Sequence, residues 1–252
     1  MTNVNQQEGG DEGSPSPGTS SHFEPQCGSC NLREICLPVG LPEEELAQLD
    51  RVVSQRRKVP QGQCLFRSGD RFAALYAVRS GFFKASTHLI ETREQISGFS
   101  MAGELLGLDG ISTGNHQLDV TALEDSEVCV IPYDQLEAVS RDAPGLQRQV
   151  HRVMSREIVR EQGVMMLLGG MRAEERIAAF LLNLARRLQA RGYSGRTMVL
   201  RMTREETGNY LGMTIETVSR TLSKMQAAGL VRLDKREVEI LEPDRLVALL
   251  QR

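Results

Sequence analysis

TREETGNYLGMTIETVSRTLSKMQ, residues 203–226, spells two short helices around a tight turn. Thr203 with Glu206 three positions on is a capping box, so a helix is expected to begin near Arg204. Gly212 stands where that helix needs a left-handed terminal residue. Thr214 can cap a second helix running through Met225. In that helix Glu216, Ser219 and Arg220 are spaced i, i+3, i+4 and share one face, while Val218, Leu222 and Met225 share an inward one. A short helix, a glycine turn and a helix with one apolar and one polar face make the helix-turn-helix pattern. The polar face carries the chemistry of base recognition. Arginine donates twice to guanine O6 and N7, glutamate accepts from cytosine N4, and serine serves a base or a phosphate. Ile215 is positioned for a thymine methyl. Thr214 and Thr217 complete the expected contact set of Thr214, Ile215, Glu216, Thr217, Ser219 and Arg220. An ordinary surface helix with a Glu216–Arg220 ion pair is the competing reading; the caps and the turn together favour double-stranded DNA.

The charge distribution agrees. The 252 residues carry a net charge of −3, but residues 171–252 hold 15 Lys and Arg against 10 Asp and Glu, and the remainder holds 15 against 23. The basic end is the helix-turn-helix end, as attraction to phosphate requires. A hydrophobic content of 40% and a charged content of 25% are those of a globular protein. No apolar run approaches the ~18 residues of a membrane span, and no charged-then-apolar leader opens the chain. A cytoplasmic protein with no membrane partner is expected.

Five cysteines, 27, 30, 36, 64 and 129, form no even disulfide framework. Cys27, Cys30 and Cys36 follow a C-x2-C-x5-C spacing, which suits a metal centre. Zinc and iron–sulfur both remain open on this pattern. The absence of a second C-x-x-C pair favours a cluster completed by a distant cysteine, and spacing alone does not choose between Cys64 and Cys129.

Taken in order, residues 1–22 are Gly, Ser, Pro, Gln and acidic residues, and are expected to be a disordered tail. A short helix over 42–50 precedes six strands at 63–67, 74–79, 82–87, 94–99, 118–123 and 127–131. Turn residues separate them, which implies an antiparallel barrel or sandwich. A helix over 133–141 follows Pro132. From Pro144 to about Leu168, an apolar stripe through Val150, Met154, Ile158 and Met165 runs near heptad spacing and suggests a dimer seam. Glu161 falls on this side. It is either a solvated neighbour or an acid facing its twin across a two-fold axis, where paired charges would keep the dimer marginal. Gly169-Gly170 marks an expected hinge. An amphipathic helix over 172–191, a strand over 198–202, a basic-tipped hairpin around Asp234-Lys235-Arg236 and a helix over 244–250 make the C-terminal part a winged helix-turn-helix. The domains are therefore expected at 23–142, 143–169 and 170–252, in an α+β chain.

This assembly resembles the catabolite-activator superfamily of bacterial regulators, and within it the fumarate-and-nitrate-reduction branch. The motifs are CGSCNLREICLPV, LFRSGD, LYAVRSGFFK, GFSMAGELLG, AEERIAAFLLNLARR and the helix-turn-helix stretch, in that order. The resemblance implies a cyclic-nucleotide-binding-like antiparallel β-roll, a long dimerisation helix and a C-terminal winged helix-turn-helix. It implies one 4Fe–4S cluster per subunit on Cys27, Cys30, Cys36 and Cys129, the last in EVCVIP. Cys64 becomes a small core residue or at most a secondary redox site. It further implies a homodimer whose recognition helices lie one DNA turn apart (~34–36 Å) on TTGAT-type palindromes, read by Glu216, Ser219 and Arg220. Oxygen would convert the cluster to a 2Fe–2S form, loosen the dimer and lower DNA binding. RNA polymerase is an implied partner, although HLIETR at 88–93 matches the family's polymerase-contacting loop poorly.

Three other classes compete. A cyclic-nucleotide-responsive regulator would place an arginine after Gly103-Glu104-Leu105 to hold the phosphate; ISTGNHQLDV supplies none, so no cyclic nucleotide is expected. A structural zinc site in a constitutive DNA-binding protein is separated by metal analysis. An enzyme is disfavoured: no nucleophile–His–acid set, Walker loop or dinucleotide motif is present, and the four histidines at 22, 88, 116 and 151 follow no ligand spacing.

Overall fold

The computed structural model describes residues 26–90 and 93–251, so the expected tail over 1–22 lies outside the described residues. The cysteine loop leads into α1 (Glu43–Val52). Eight strands follow: β1 (Gln55–Val59), β2 (Cys64–Phe66), β3 (Ala74–Ser80), β4 (Phe82–Ile90), β5 (Arg93–Met101), β6 (Leu105–Leu106), β7 (Asp119–Ala122) and β8 (Ser126–Pro132). They form two four-stranded antiparallel sheets, ordered β1-β8-β3-β6 and β2-β7-β4-β5. Alternation drives Val78, Phe83, Val120 and Val128 into the space between the sheets, where all are at most 2% exposed. Phe66 stacks on His116 with ring centroids 3.7 Å apart and on Tyr76 at 5.6 Å, so side chains fill the roll.

A second cluster lies on the outer face of the β1-β8-β3-β6 sheet. Leu75 and Ile131 from the strands meet Leu37, Leu49, Leu136 and Leu146 there. It is built by the cysteine loop, α1, α2 (Tyr133–Asp142) and the start of α3 (Pro144–Gly170). Pro144 occupies the first turn of α3, where its missing N–H costs nothing.

The C-terminal half comprises α4 (Ala173–Gln189), β9 (Thr197–Val199), α5 (Arg204–Leu211), α6 (Ile215–Ala227), β10 (Val231–Asp234), β11 (Glu237–Ile240) and α7 (Pro243–Leu249). Its sheet runs β10-β11-β9. This half shares a core with the β-roll: Phe82, Ile96 and Phe99 from the strands join Phe180 and Leu184 of α4 in one buried cluster.

Several boundaries differ from expectation. Gly169 and Gly170 are the last residues of α3, not a hinge; the chain turns at Met171 and Arg172, both extended (φ −95°, ψ 144° and φ −74°, ψ 163°). The strand expected over 198–202 stops at Val199, and Met202 is buried just before the cap of α5. The strands β1 and β6 were not expected, and β4 and β5 run on to the pairing of Ile90 with Arg93.

Candidate metal centre and nucleic-acid interface

Cys27, Cys30, Cys36 and Cys129 line one cavity of about 30 Å³, walled also by Leu49, Val53, Ala77, Arg79 and Ile131. The first three cysteines arrive on a chain of tight turns, with Cys30 N–H donating to Cys27 O at 3.2 Å and Cys36 N–H to Leu32 O at 2.9 Å. The loop is pinned to the sheet by Leu37 and Leu41, 1% and 5% exposed. Each buried leucine of this kind contributes about 1.5–3 kcal/mol. At the other end Asp50 of α1 accepts the Cys27 N–H at 2.5 Å. The fourth cysteine comes from β8, which pairs with β3 so that Ala77 faces Cys129 across the ladder. All five cysteines are free thiols.

Burial dominates the chemistry of the Cys27, Cys36 and Cys129 thiols. It pushes the Cys27 thiol well above its usual range, helped by the Asp50 carboxylate, and Cys36 up to about 12. Cys129 is raised by burial too, while Arg56 and Arg79 act against it. Arg79 Nη1 donates to Cys30 Sγ at 3.6 Å, and its Nε pairs with Glu127 at 3.0 Å. The cavity is thus an apolar, all-sulfur donor set with cations at its edge. That composition fits an anionic metal–thiolate centre, whose charge the guanidiniums offset. Among the described residues, no three His, Cys, Asp or Glu side chains converge on a point that would hold a single ion. Cys64 lies apart on β2, paired with Thr121 of β7, and its thiol donates to Phe66 O at 2.8 Å.

The helix-turn-helix follows its local signals. Thr203 Oγ1 accepts the Glu206 N–H at 3.0 Å and Glu206 returns the bond to the Thr203 N–H at 2.8 Å. Gly212 takes φ 64°, ψ 40°. Thr214 caps α6 by accepting the Thr217 N–H at 3.3 Å. The two helices cross closely at Gly208, where a Cβ would lie 2.6 Å from Met213 O. Val218, Leu222 and Met225 face inward, each at most 3% exposed. Thr214, Ile215, Glu216 and Arg220 are exposed, and Thr217 and Ser219 half-buried, along the outward face. Its own backbone N–H and Thr214 hold the Glu216 carboxyl below the usual range, and among the described residues no ion pair joins Glu216 to Arg220. In the wing, Lys235 at φ 52° turns β10 into β11 with Arg236 exposed beside it.

Sequence reasoning missed the groups that join the two halves. Asn209 of α5 grips the edge of β5: its Oδ1 accepts the Ile96 N–H at 2.6 Å, and its Nδ2 donates to Glu94 O at 2.7 Å. Lys84 bridges Glu94 and Glu206 at 3.1 and 3.2 Å. Glu104 binds Arg187 and Arg191. Apart from the Lys84–Glu94 pair on neighbouring strands, these partners lie far away in the chain and carry no local signal.

On α3, Val150 and Val153 pack against the chain's own cluster under the cysteine loop. Val150 and Val153 are both half-buried there. Met154 is half-buried and Glu161 exposed. Ile158, Val159, Met165 and Met166 are 56%, 63%, 67% and 73% exposed, a bare apolar face on the second half of the helix.

Comparison with known proteins follows the same division. Residues 175–249 match the Crp-like helix-turn-helix domain, and residues 56–143 the cyclic nucleotide-binding domain. The chain is 46% identical to the transcriptional regulatory protein btr of Bordetella pertussis, covering 86% of this chain and 89% of that one. It is 43% identical to the fumarate and nitrate reduction regulatory protein of Escherichia coli K12, covering 88% and 89%. The solved structure of FixK2 from Bradyrhizobium japonicum superposes with a TM-score of 0.72 at 28% identity, covering 77% and 96%. With both halves matched in this order and at this identity, the chain belongs to the CRP/FNR family of DNA-binding transcription regulators, in which it groups with the fumarate-and-nitrate-reduction proteins.

Proposed function

We propose that this regulator is an oxygen-responsive switch, cytoplasmic, in which Cys27, Cys30, Cys36 and Cys129 hold one 4Fe–4S cluster. The observation that carries this is the gathering of the three loop cysteines and Cys129, but not Cys64, around one apolar cavity. When bound, such a cluster supplies an oxygen-labile link between the N-terminal loop and the sheet. The chain's own residues do the rest. Leu37, Leu41 and Asp50 orient the loop, Arg79 offsets thiolate charge, and the leucines and valines around the cavity exclude water.

Residues 23–142 are then the sensor and 143–169 the dimerisation helix. In the homodimer the α3 face of Val150, Met154, Ile158, Glu161 and Met165 meets its twin. Residues 170–252 carry the DNA-binding domain. Thr214, Ile215, Glu216, Thr217, Ser219 and Arg220 meet a TTGAT-type palindrome, and RNA polymerase is the downstream partner. Cyclic nucleotide is not the effector. Phe66, Tyr76 and His116 fill the roll, and Glu104 of the Gly-Glu-Leu turn is committed to arginines. The test is operator affinity of the full chain, purified without oxygen and measured before and after air. A clear loss in air is expected; equal affinity in both states removes the oxygen switch and leaves a constitutive DNA-binding protein.

A further inference from the structure

Glu104 lies in the turn between β5 and β6, and its carboxylate is a meeting point for three parts of the molecule. Its Oε1 accepts from Arg187 Nε at 3.0 Å and from Arg191 Nη2 at 2.8 Å. Its Oε2 accepts from Arg187 Nη2 at 2.5 Å and faces Arg160 Nη1 at 3.6 Å. Arg187 and Arg191 belong to α4 and the turn after it, where the DNA-binding half begins; Arg160 belongs to α3. Both α4-side arginines also clamp the backbone of the turn, Arg187 Nη2 at Phe99 O (2.7 Å) and Arg191 Nε at Ala102 O (2.5 Å).

The other side of this turn faces the cysteines. Gly103 N–H donates to Val78 O at 2.7 Å, and Val78 N–H returns to Glu104 O at 2.9 Å. Val78 and its neighbour Arg79 line the cysteine cavity. Ile35, directly before Cys36, lies against Gly103. A change in how the cysteine loop is held therefore reaches Glu104 through one residue, and α3 and α4 through one carboxylate. A half-buried, multiply paired carboxylate suits this role because its hydrogen bonds are directional, and it has no comparably good second position once the turn moves.

We propose that Glu104 is the positioning residue through which the state of the cysteine pocket sets the placement of both the helix-turn-helix and the dimer helix. This rests on the oxygen-switch reading above. With the loop held, Ile35 keeps the 101–104 turn in place and Glu104 in reach of Arg160, Arg187 and Arg191. With the loop released, the turn relaxes and the three arginines lose their common anchor.

The test compares full-length wild type, Glu104→Gln and Arg187→Lys, each anaerobic and after air. Iron and sulfide content, operator affinity and amide hydrogen exchange over 93–106 and 184–191 are read for each. In wild type, air is expected to raise exchange in both segments together. Glu104→Gln is expected to keep its iron and sulfide yet show the raised exchange before air, with the anaerobic-to-aerobic affinity ratio reduced about tenfold or more. Arg187→Lys, which keeps the charge but loses the two-pronged bond, is expected to fall between; it serves alone if Glu104→Gln does not fold. Variants that lose only melting temperature, while exchange and affinity ratio still respond to air as in wild type, overturn the proposal and leave the oxygen switch standing. A wild type without iron and sulfide overturns both.

Discussion

Ile35 bears directly on Gly103: a Cβ added to Gly103 would lie 2.9 Å from Ile35 Cγ1 and 3.0 Å from Cδ1. Gly103 also takes φ +86°, which L side chains rarely adopt. Glycine is thus required twice at the point where the cysteine loop meets the β-roll. Gly103→Ala is expected to cost about 1–3 kcal/mol from backbone strain, with displacement of Ile35 added to it. Urea unfolding measures the cost, and iron retention during brief air exposure reports the loop. Unchanged stability would show that neither the contact nor the φ value constrains this position.

Cys129 and Cys64 are both strand cysteines, but only Cys129 opens on the cavity. Cys129→Ser is expected to lose most of its iron, whereas Cys64→Ser, which removes only a local thiol contact to Phe66 O, keeps it. Iron and sulfide analysis of the two anaerobic variants decides this, and the reverse pattern would move the fourth ligand to β2.

Arg220 lies exposed on α6, and among the described residues it has no ion pair to Glu216, which is bonded back to the helix start. Arg220→Ala is expected to weaken operator binding by about 1–3 kcal/mol per half-site and to relax base choice at one position. Binding to operator variants at fixed salt checks it. A uniform loss across all sequences would instead make Arg220 a phosphate contact.

How much of this was legible in the sequence follows the range of the interactions. The helix-turn-helix was fully legible, because Thr203, Glu206, Gly212 and Thr214 act within four residues of themselves. The clustering of Cys27, Cys30 and Cys36 was legible from their spacing, but the place of Cys129 on the same cavity depends on β8 lying beside β3, which spacing does not encode. Strand β1 was missed because QRRKV buries only Val59 and reads as a charged loop. Strand β6 has two residues, too few for any period. Glu104 appeared only as part of a turn, since Arg187 and Arg191 lie 83 and 87 residues away. The apolar stripe on α3 was legible as a stripe, and it is exposed at Ile158 and Met165, while Val150 on the same stripe also packs against the cluster under the cysteine loop.

Acid should act on the domain junction with a defined sign. Burial alone would raise the Glu104 carboxyl, but Arg187, Arg191 and Arg160 outweigh it and hold it below the usual carboxylate range. Its contribution to stability is therefore fully present above the unfolded carboxylate pKa of about 4.3 and is lost as pH falls through the lower folded value. Glu157, raised first by burial and further by Glu104 and Glu161, works in the opposite sense, and its protonation relieves the fold. Between pH 7 and pH 3 the stability gap between wild type and Glu104→Gln is expected to narrow, as followed by urea midpoints. A gap that stays constant would mean that the carboxylate charge contributes nothing there.

The most direct test of the oxygen switch is the metal content of the full chain purified without oxygen. About four iron and four sulfide per chain, with a visible absorption band that changes on exposure to air, is the predicted result. One zinc per chain with no sulfide and no response to air would contradict it.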